Sequence, residues 1–399
     1  MSKWEEKRLE DIIDVNPPVK LKKGESYPFI DIDKVSPTRR SVTNEEVKVY
    51  DGQSSSKFCD GDTVFSRITP CLENRKIAKV AINGDAAFGS TEFYVFRAKK
   101  KKADARFTYY LTSSDAVVLP AINSMTGASG RQRADKRFVQ RLKLNLPDLP
   151  TQERIADILS AYDDLIEANN RRIKLLEQAA QELYKEWFVR FRFPGHENTK
   201  FEDGFPKGWT IKRLSDYGRV ETGKTPSTEI AENYGGEIMF VKTPDMHGNM
   251  FIIQTEDKLS ERGHNTQPKK LLPTNSIMVS CIGTAGVVSI NAEPAHTNQQ
   301  INSIVLNNLN ELEWLYHTCK SLKETIELFG ATGATMTNLS KGKFEKLKVV
   351  DPGENLILAY HDKVKPLFDE IKSFMYQNQN LETQRDMLLP RLMSGKLEV

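Results

Sequence analysis

IADILSAYDDLIEANNRRIKLLEQAAQELYKEW, residues 155–187, is the stretch from which the architecture follows. Ile155, Leu159, Tyr162, Ile166, Asn169, Ile173, Leu176, Ala180, Leu183 and Trp187 recur at alternating intervals of four and three. That spacing keeps one narrow stripe on one side of an α-helix and predicts a coiled-coil seam. A second stretch repeats it, at Tyr360, Val364, Leu367, Ile371, Phe374, Asn378, Leu381, Arg385, Leu388 and Leu392. Both seams suit one partner helix rather than deep burial. Pro150-Thr151-Gln152-Glu153 supplies a start for the first helix and Pro194-Gly195 a stop, while Pro366 predicts a new segment or a bend in the second. An end-matched antiparallel pair places residue i opposite 547 − i, so the seam asparagines Asn169 and Asn378 face one another as register residues. The alternative puts each at the solvent edge of its seam. Helices of about 35 residues span about 50 Å, more than one turn of B-DNA, and predict a ruler with a reading head at each end.

The rest of the chain repeats with the helices. Trp4-Glu-Glu-Lys-Arg-Leu9-Glu-Asp11 returns 205 residues later as Trp209-Thr-Ile-Lys-Arg-Leu214-Ser-Asp216. Thr126-Gly127-Ala128-Ser129 and Thr332-Gly333-Ala334-Thr335, Phe138 and Phe344, Leu142-Lys143 and Leu347-Lys348, and Pro147 and Pro352 follow in the same order at offsets of 205 or 206. Within each half, short β-rich runs (Thr63–Phe65, Phe93–Phe96, Leu142–Leu146; Ile238–Val241, Ile277–Val279, Ile301–Leu306) alternate with turn signals and precede the helix. The expected fold is mixed α/β, with an internal pseudo-two-fold repeat. It consists of two homologous strand-rich globular domains with short helices, at 1–150 and 196–350. Two long helices, at 151–195 and 351–399, join and space them as an antiparallel coiled coil.

Composition is that of a globular chain: 399 residues, 39% hydrophobic and 28% charged. No run of 18 apolar residues predicts a membrane span, and the charged Met1–Arg8 has no apolar region behind it, so the cytoplasm is the default compartment. Cys59, Cys71, Cys281 and Cys319 lack zinc or disulfide spacing and are read as reduced thiols. The net charge of +3 conceals a split. Residues 1–150 carry 27 Lys+Arg against 20 Asp+Glu, a net +7, and residues 201–350 carry 16 against 17, a net −1.

Two motifs imitate chemistry. Gly218-Arg-Val-Glu-Thr-Gly223-Lys224-Thr225 fits the P-loop expression, but Ile211–Tyr217 before it is no buried apolar strand and no amphipathic helix follows. Asn16-Pro17-Pro18-Val19 resembles the loop of adenine methyltransferases but has Val where an aromatic ring stacks on the flipped base. The six histidines show no ligand spacing. No triad or metal site is expected, and recognition remains.

Bases are read in the major groove by Arg or Lys at guanine and by Asn or Gln at adenine. The densest such stretch in the first half is Arg131-Gln132-Arg133 with Lys136, whose counterpart is Thr337-Asn338 with Lys341 and Lys343. Solvated loops are the alternative. Arg67, Arg39-Arg40 and Arg75-Lys76 are candidate phosphate ligands in the first half, and Lys224-Thr225, Lys242-Thr243 and Thr297-Asn298-Gln299-Gln300 in the second. Lys99–Lys102 is read as an exposed turn.

Several segments carry a family resemblance: Gly223-Lys-Thr-Pro-Ser227 through Tyr234-Gly-Gly236, Thr297–Gln300, Leu146-Pro147 with Gln152-Glu153-Arg-Ile155, and Arg385-Asp-Met-Leu-Leu-Pro-Arg-Leu-Met-Ser-Gly395. In this order, and with the duplication, the whole chain resembles the DNA-specificity (S) subunit of type I restriction-modification systems. The resemblance implies two target recognition domains reading the halves of a bipartite site in double-stranded DNA. It also implies two docked methyltransferase (M) subunits that methylate adenine N6 from S-adenosylmethionine and, in restricting systems, restriction (R) subunits using ATP and Mg2+. No cofactor, metal or catalytic residue is then expected on this chain. The rival expectations are a P-loop nucleotide-binding protein acting through Gly218–Thr225 and a coiled-coil scaffold without DNA specificity.

Overall fold

The computed structural model describes residues 4–37, 39–43, 46–202, 204–330 and 338–399. Two helices dominate, Leu149–Tyr184 and Glu354–Met393. The first is opened by Asp148, whose carboxylate accepts from Thr151 N at 3.1 Å. It gives way to a π-helical turn at Lys185–Val189, and Phe191 adopts a left-handed φ of 57°. The helical run therefore ends ahead of Pro194-Gly195, the stop expected from sequence. The second helix runs on through Pro366, contrary to the expected new segment. Pro366 is exposed, so the carbonyl at Asp362 that loses its donor faces water.

No seam position of either helix is exposed. Asn169 and Asn378 are 0% and 7% exposed, which removes the solvent-edge alternative.

The chain forms two compact units, residues 1–168 with 378–399 and residues 169–377. Each contains a stretch of both long helices. In the first unit Asp163 meets Arg385, and in the second Arg172 lies over the Phe374 ring. Both pairs fall within one residue of the i, 547 − i register, so the helix stretches run antiparallel inside each unit.

The units share a sheet plan. In the first, a five-stranded sheet has the order Ile13–Val15, Phe93–Ala98, Thr63–Ser66, Ile77–Ala81, Ser41–Thr43. In the second the order is Gly218–Thr222, Ile301–Leu306, Ile277–Ser280, Val288–Asn291, Phe251–Ile252. The last pair is parallel and the others antiparallel in both. A smaller sheet in each unit contains a parallel pair, Ser26–Ile30 with Ala87–Gly89 and Tyr234–Val241 with Ala295–Thr297. The W-x4-L-x-D repeat has a local cause. Trp4–Arg8 and Thr210–Arg213 pair with the strands that lead into the long helices, Lys143–Pro147 and Lys348–Asp351. Asp11 and Asp216 then accept from the backbone N of Arg8 and Arg213, both at 2.8 Å, while Leu9 and Leu214 are buried.

The cores join the sheets to the helices. In the first unit Phe65, Phe96 and Phe107 pack with Ile155, Leu159 and Leu392. In the second, Trp314, Phe344 and Leu315 pack with Ala180, Tyr184, Tyr360 and Phe368. Each Leu, Ile or Phe among them contributes roughly 1.5–3 kcal/mol on full burial.

Seam residue Arg385 is explained by its partner. Its Nη1 donates to the buried Asp163 carboxylate at 2.6 Å, and the Tyr110 hydroxyl donates to the other oxygen.

Candidate nucleic-acid interface

In the first unit Arg67 follows the strand Thr63–Ser66, and Glu92 precedes its antiparallel neighbour Phe93–Ala98. The backbone ties these ends together, Arg67 N donating to Glu92 O at 2.9 Å. The 126–134 segment crosses them. Arg133 bridges both Ile68 and Thr126, Gln132 exchanges bonds with Thr69 (N to Oγ1 3.1 Å, O from N 3.0 Å), and Ala134 N donates to Arg67 O at 2.8 Å. Residues far apart in sequence thus meet at one place.

Their side chains form an ionic clamp. The Glu92 carboxylate receives Arg133 Nη2 at 2.6 Å and Nε at 2.9 Å, and Arg67 Nε at 3.2 Å. The hydrogen bonds from Arg133, together with the charge of Arg67, hold the Glu92 carboxyl below its ordinary range. Arg67 also lies over the Tyr94 ring at 5.5 Å, and the Tyr94 hydroxyl donates to Ala134 O. Arg131 is exposed and has no ion pair among the described residues. Lys136 opens the short helix Lys136–Gln140, capped by Asp135. The structure therefore gathers Arg67, Gln132 and Arg133 around Glu92, which sequence reasoning did not single out, with Arg131 on the same loop and Lys136 at the start of the helix that follows.

The remaining basic candidates disperse. Arg40, 8% exposed, gives its guanidinium to Asp164 at 2.8 Å and stacks 5.8 Å over Tyr110. It fastens the domain to the central helix instead of presenting a cation to solvent. Arg39 is exposed and lines, with Arg75 and Arg385, a cleft of about 470 Å³ within this unit. Arg75 pairs with Asp115, and Lys76 donates to Ile32 O at 3.0 Å. Lys100–Lys102 are exposed, whereas Lys99 reaches Glu10 O at 2.5 Å. Asn16 shows the structural role of the Asn-Pro-Pro loop: its Oδ1 accepts from Val95 N at 2.8 Å and its N donates to Val95 O at 2.7 Å.

In the second unit the P-loop expression falls on a strand. Gly218–Thr222 pairs with Ile301–Leu306. Gly223 is required by close approach, since a Cβ there would lie 2.2 Å from Asn298 O and 2.3 Å from Thr297 O. This is no phosphate-cradling loop before a helix, and the P-loop alternative falls. Lys224 is exposed, with its backbone fixed by Thr297 O at 2.9 Å and Gln267 Nε2 at 2.8 Å. The Thr225 hydroxyl donates to Gln299 Oε1 at 2.6 Å. Gln300 Oε1 accepts from Asn298 Nδ2 at 3.0 Å and from Thr243 Oγ1 at 3.3 Å. Lys242 pairs with Asp257. Asn338 and Lys343 are exposed, as is Lys341, which lies 3.7 Å from Glu345. Thr337 lies outside the described residues, as does the Thr332–Thr335 repeat. Among the described residues no group of three or more His, Cys, Asp or Glu could hold a metal, and no helix is long and apolar enough to cross a membrane.

The two sites share one backbone frame. Phe93 opposes Ser66 as Ile301 opposes Ser280, which makes Glu92 equivalent to Gln300 and Arg67 to Cys281. Cys281 N donates to Gln300 O at 2.7 Å, as Arg67 N does to Glu92 O. Leu339 N donates to Cys281 O at 2.9 Å, as Ala134 N does to Arg67 O. Asn338 bridges Ile282 as Arg133 bridges Ile68.

Comparison with known proteins agrees with this duplicated design. The family model described as the type I restriction modification DNA specificity domain matches residues 1–178 and again 206–353. The chain is 32% identical over 415 residues to the type I restriction enzyme HindI specificity subunit of Haemophilus influenzae, covering 88% of this chain and 90% of that protein. It is 26% identical to the MjaIX specificity subunit of Methanocaldococcus jannaschii over 99% of this chain and 94% of that one. The fold is similar to that of the solved type I restriction-modification S subunit from M. genitalium, with a TM-score of 0.58, 14% identity and coverage of 98% and 96%. The chain belongs to the type I restriction-modification DNA specificity family, the non-catalytic DNA-recognition component of systems that act with modification and restriction subunits.

Proposed function

We propose that this recognition subunit reads an asymmetric bipartite site in double-stranded DNA, one half-site per unit. The observation that carries this is the shared backbone frame bearing different polar side chains, which suits two readers of different sequences. Arg131, Arg133, Gln132, Lys136, Arg67 and Arg39 serve the first half-site. Asn338, Lys224, Thr225, Lys242, Lys341, Lys343 and Thr337 serve the second. The buried seam residues Asn169 and Asn378 fix the register of the long helices, whose outer faces together with the recognition domains recruit two methyltransferase subunits. S-adenosylmethionine, and ATP with Mg2+ where restriction occurs, act on the partner subunits, in the cytoplasm.

A net charge of +3 is small for a stand-alone DNA binder, because neutralising phosphates supplies much of the affinity. The isolated subunit is expected to bind weakly and with strong salt dependence, and tightly only with its partners. Co-expression with the methyltransferase subunit, followed by sequencing for modified adenines, tests the reading. A single asymmetric two-part motif is expected, and a palindromic motif or none at all refutes it.

A further inference from the structure

We infer that residues 67, 92 and 133, and their equivalents 281, 300 and 338, form a three-position specificity slot that reads a G·C pair in the first unit and an A·T pair in the second. The inference deepens the proposed function and rests on it.

The slot is made by backbone bonds that recur in both units, so its geometry does not depend on the side chains it displays. In the first unit those are Arg67, Glu92 and Arg133. Glu92 takes the Nε and Nη2 of Arg133 on one edge of the guanidinium. That leaves the Nη1–Nη2 edge as a fork directed away from the carboxylate, with only a 3.4 Å contact from Nη1 to Arg131 O. A guanidinium held this way is pre-set for the O6 and N7 acceptors of guanine, and its planar fork distinguishes it from a point charge seeking phosphate. Glu92 is a positioning residue, and Arg67 holds it from the other side.

The second unit displays amides at the same backbone positions. Cys281 is buried and removes the charge found at Arg67. Gln300 stands at the backbone position of Glu92, its Oε1 accepting from Asn298 and Thr243. Asn338 is exposed in the place of Arg133. Its carboxamide offers one donor and one acceptor side by side, the complement of adenine N7 and N6.

The test uses the complete complex with its methyltransferase subunits on a library randomised in both half-sites. The triple substitution Arg67→Cys, Glu92→Gln, Arg133→Asn is expected to replace a G·C preference by an A·T preference at one position of one half-site. The other half-site should be unchanged. Arg133→Lys, which keeps the charge on an exposed side chain but not the fork, should lower the preference at that same position by roughly tenfold or more. Asn338→Arg with Gln300→Glu should make the reverse change in the other half-site. Uniformly slower methylation with every base preference intact would mark Arg133 as a phosphate contact and overturn the slot. Changes appearing in both half-sites would overturn it too. Unsubstituted complex that methylates without any sequence preference would instead refute the proposed function itself.

Discussion

Arg67, Glu92 and Arg133 in the first unit stand where Cys281, Gln300 and Asn338 stand in the second, on backbone bonds that match within 0.2 Å. The contrast extends inward. In the first unit Asp163 ties the two helices together through Arg385, and the domain is fastened to the central helix by the Tyr110 hydroxyl on Asp163 and by buried Arg40 on the exposed Asp164. In the second, rings dominate the closure: Trp187 and Phe188 pack on Tyr360, Trp314 on Phe188, and Phe368 on Tyr316 and His317, with His361 paired to the buried Glu313 beside them. All six histidines lie in the second unit. The difference teaches that the fold repeats what main-chain bonding and apolar volume require, while charge at the surface and the type of seal vary freely.

The largest expected effect separates the buried carboxylate of the first unit from an exposed ion pair of the second. Asp163→Ala removes the buried carboxylate that receives Arg385 Nη1 and the Tyr110 hydroxyl, leaves Arg385 only the exposed Asp386, and should cost about 1–3 kcal/mol, read by urea unfolding of the first unit. Asp369→Ala, which removes an exposed pair with Lys365 in the second unit, should move stability by less than about 0.5 kcal/mol. Equal effects would show that the Asp163 pair contributes no more than a surface ion pair.

Acid should discriminate the units next. His296 is buried, its Nε2 lies 3.0 Å from His264 Nδ1, and burial with that neighbour lowers its pKa from 6.5 to about 4. The unfolded chain takes up this proton as pH falls through 6.5, while the folded chain resists until about 4. Stability of the second unit is therefore lost across that window, by on the order of 3 kcal/mol from this residue alone. His317, buried and lowered to about 3, acts in the same direction. The first unit has no histidine. The lowered Glu92 carboxyl makes a contribution that is present at neutral pH and lost only as pH falls below the ordinary carboxylate range. Hydrogen exchange compared at pH 7 and pH 5 should show the second unit opening first, and simultaneous opening would break the comparison.

Smaller effects concern DNA. Arg131→Ala and Arg133→Ala should each cost about 1–3 kcal/mol of discrimination if the side chain meets a base edge, scored as a relaxed preference in one half-site. Lys224→Ala should weaken binding of the whole complex evenly over sequences and reduce the salt slope by about 1, with no change in ATP binding.

Much of the frame could be read without coordinates. The 4-3 spacing gave both helices because an apolar stripe is a local property of the chain, and the 205-residue offset gave the duplication. The stop at Pro194-Gly195 and the break at Pro366 were misplaced. A π-turn ends the first helix earlier, and an exposed proline in the second leaves its unpaired carbonyl to water. Arg40 shows the limit more sharply. Next to Arg39 in sequence it looked like a phosphate ligand, yet Asp164, 124 residues away, claims it.

The sequence by itself determined the two long helices, the repeat and the strand-rich domains, since periodicity and turn residues are written over short windows. Only the tertiary structure decided that Glu92 stands between Arg67 and Arg133, that Gln300 and Asn338 occupy the matching places, and that Arg385 in an apolar seam is answered by Asp163. Those meetings join residues 25 to 222 positions apart, and the strands and helices that bring them together are fixed by burial of the whole core rather than by any local pattern.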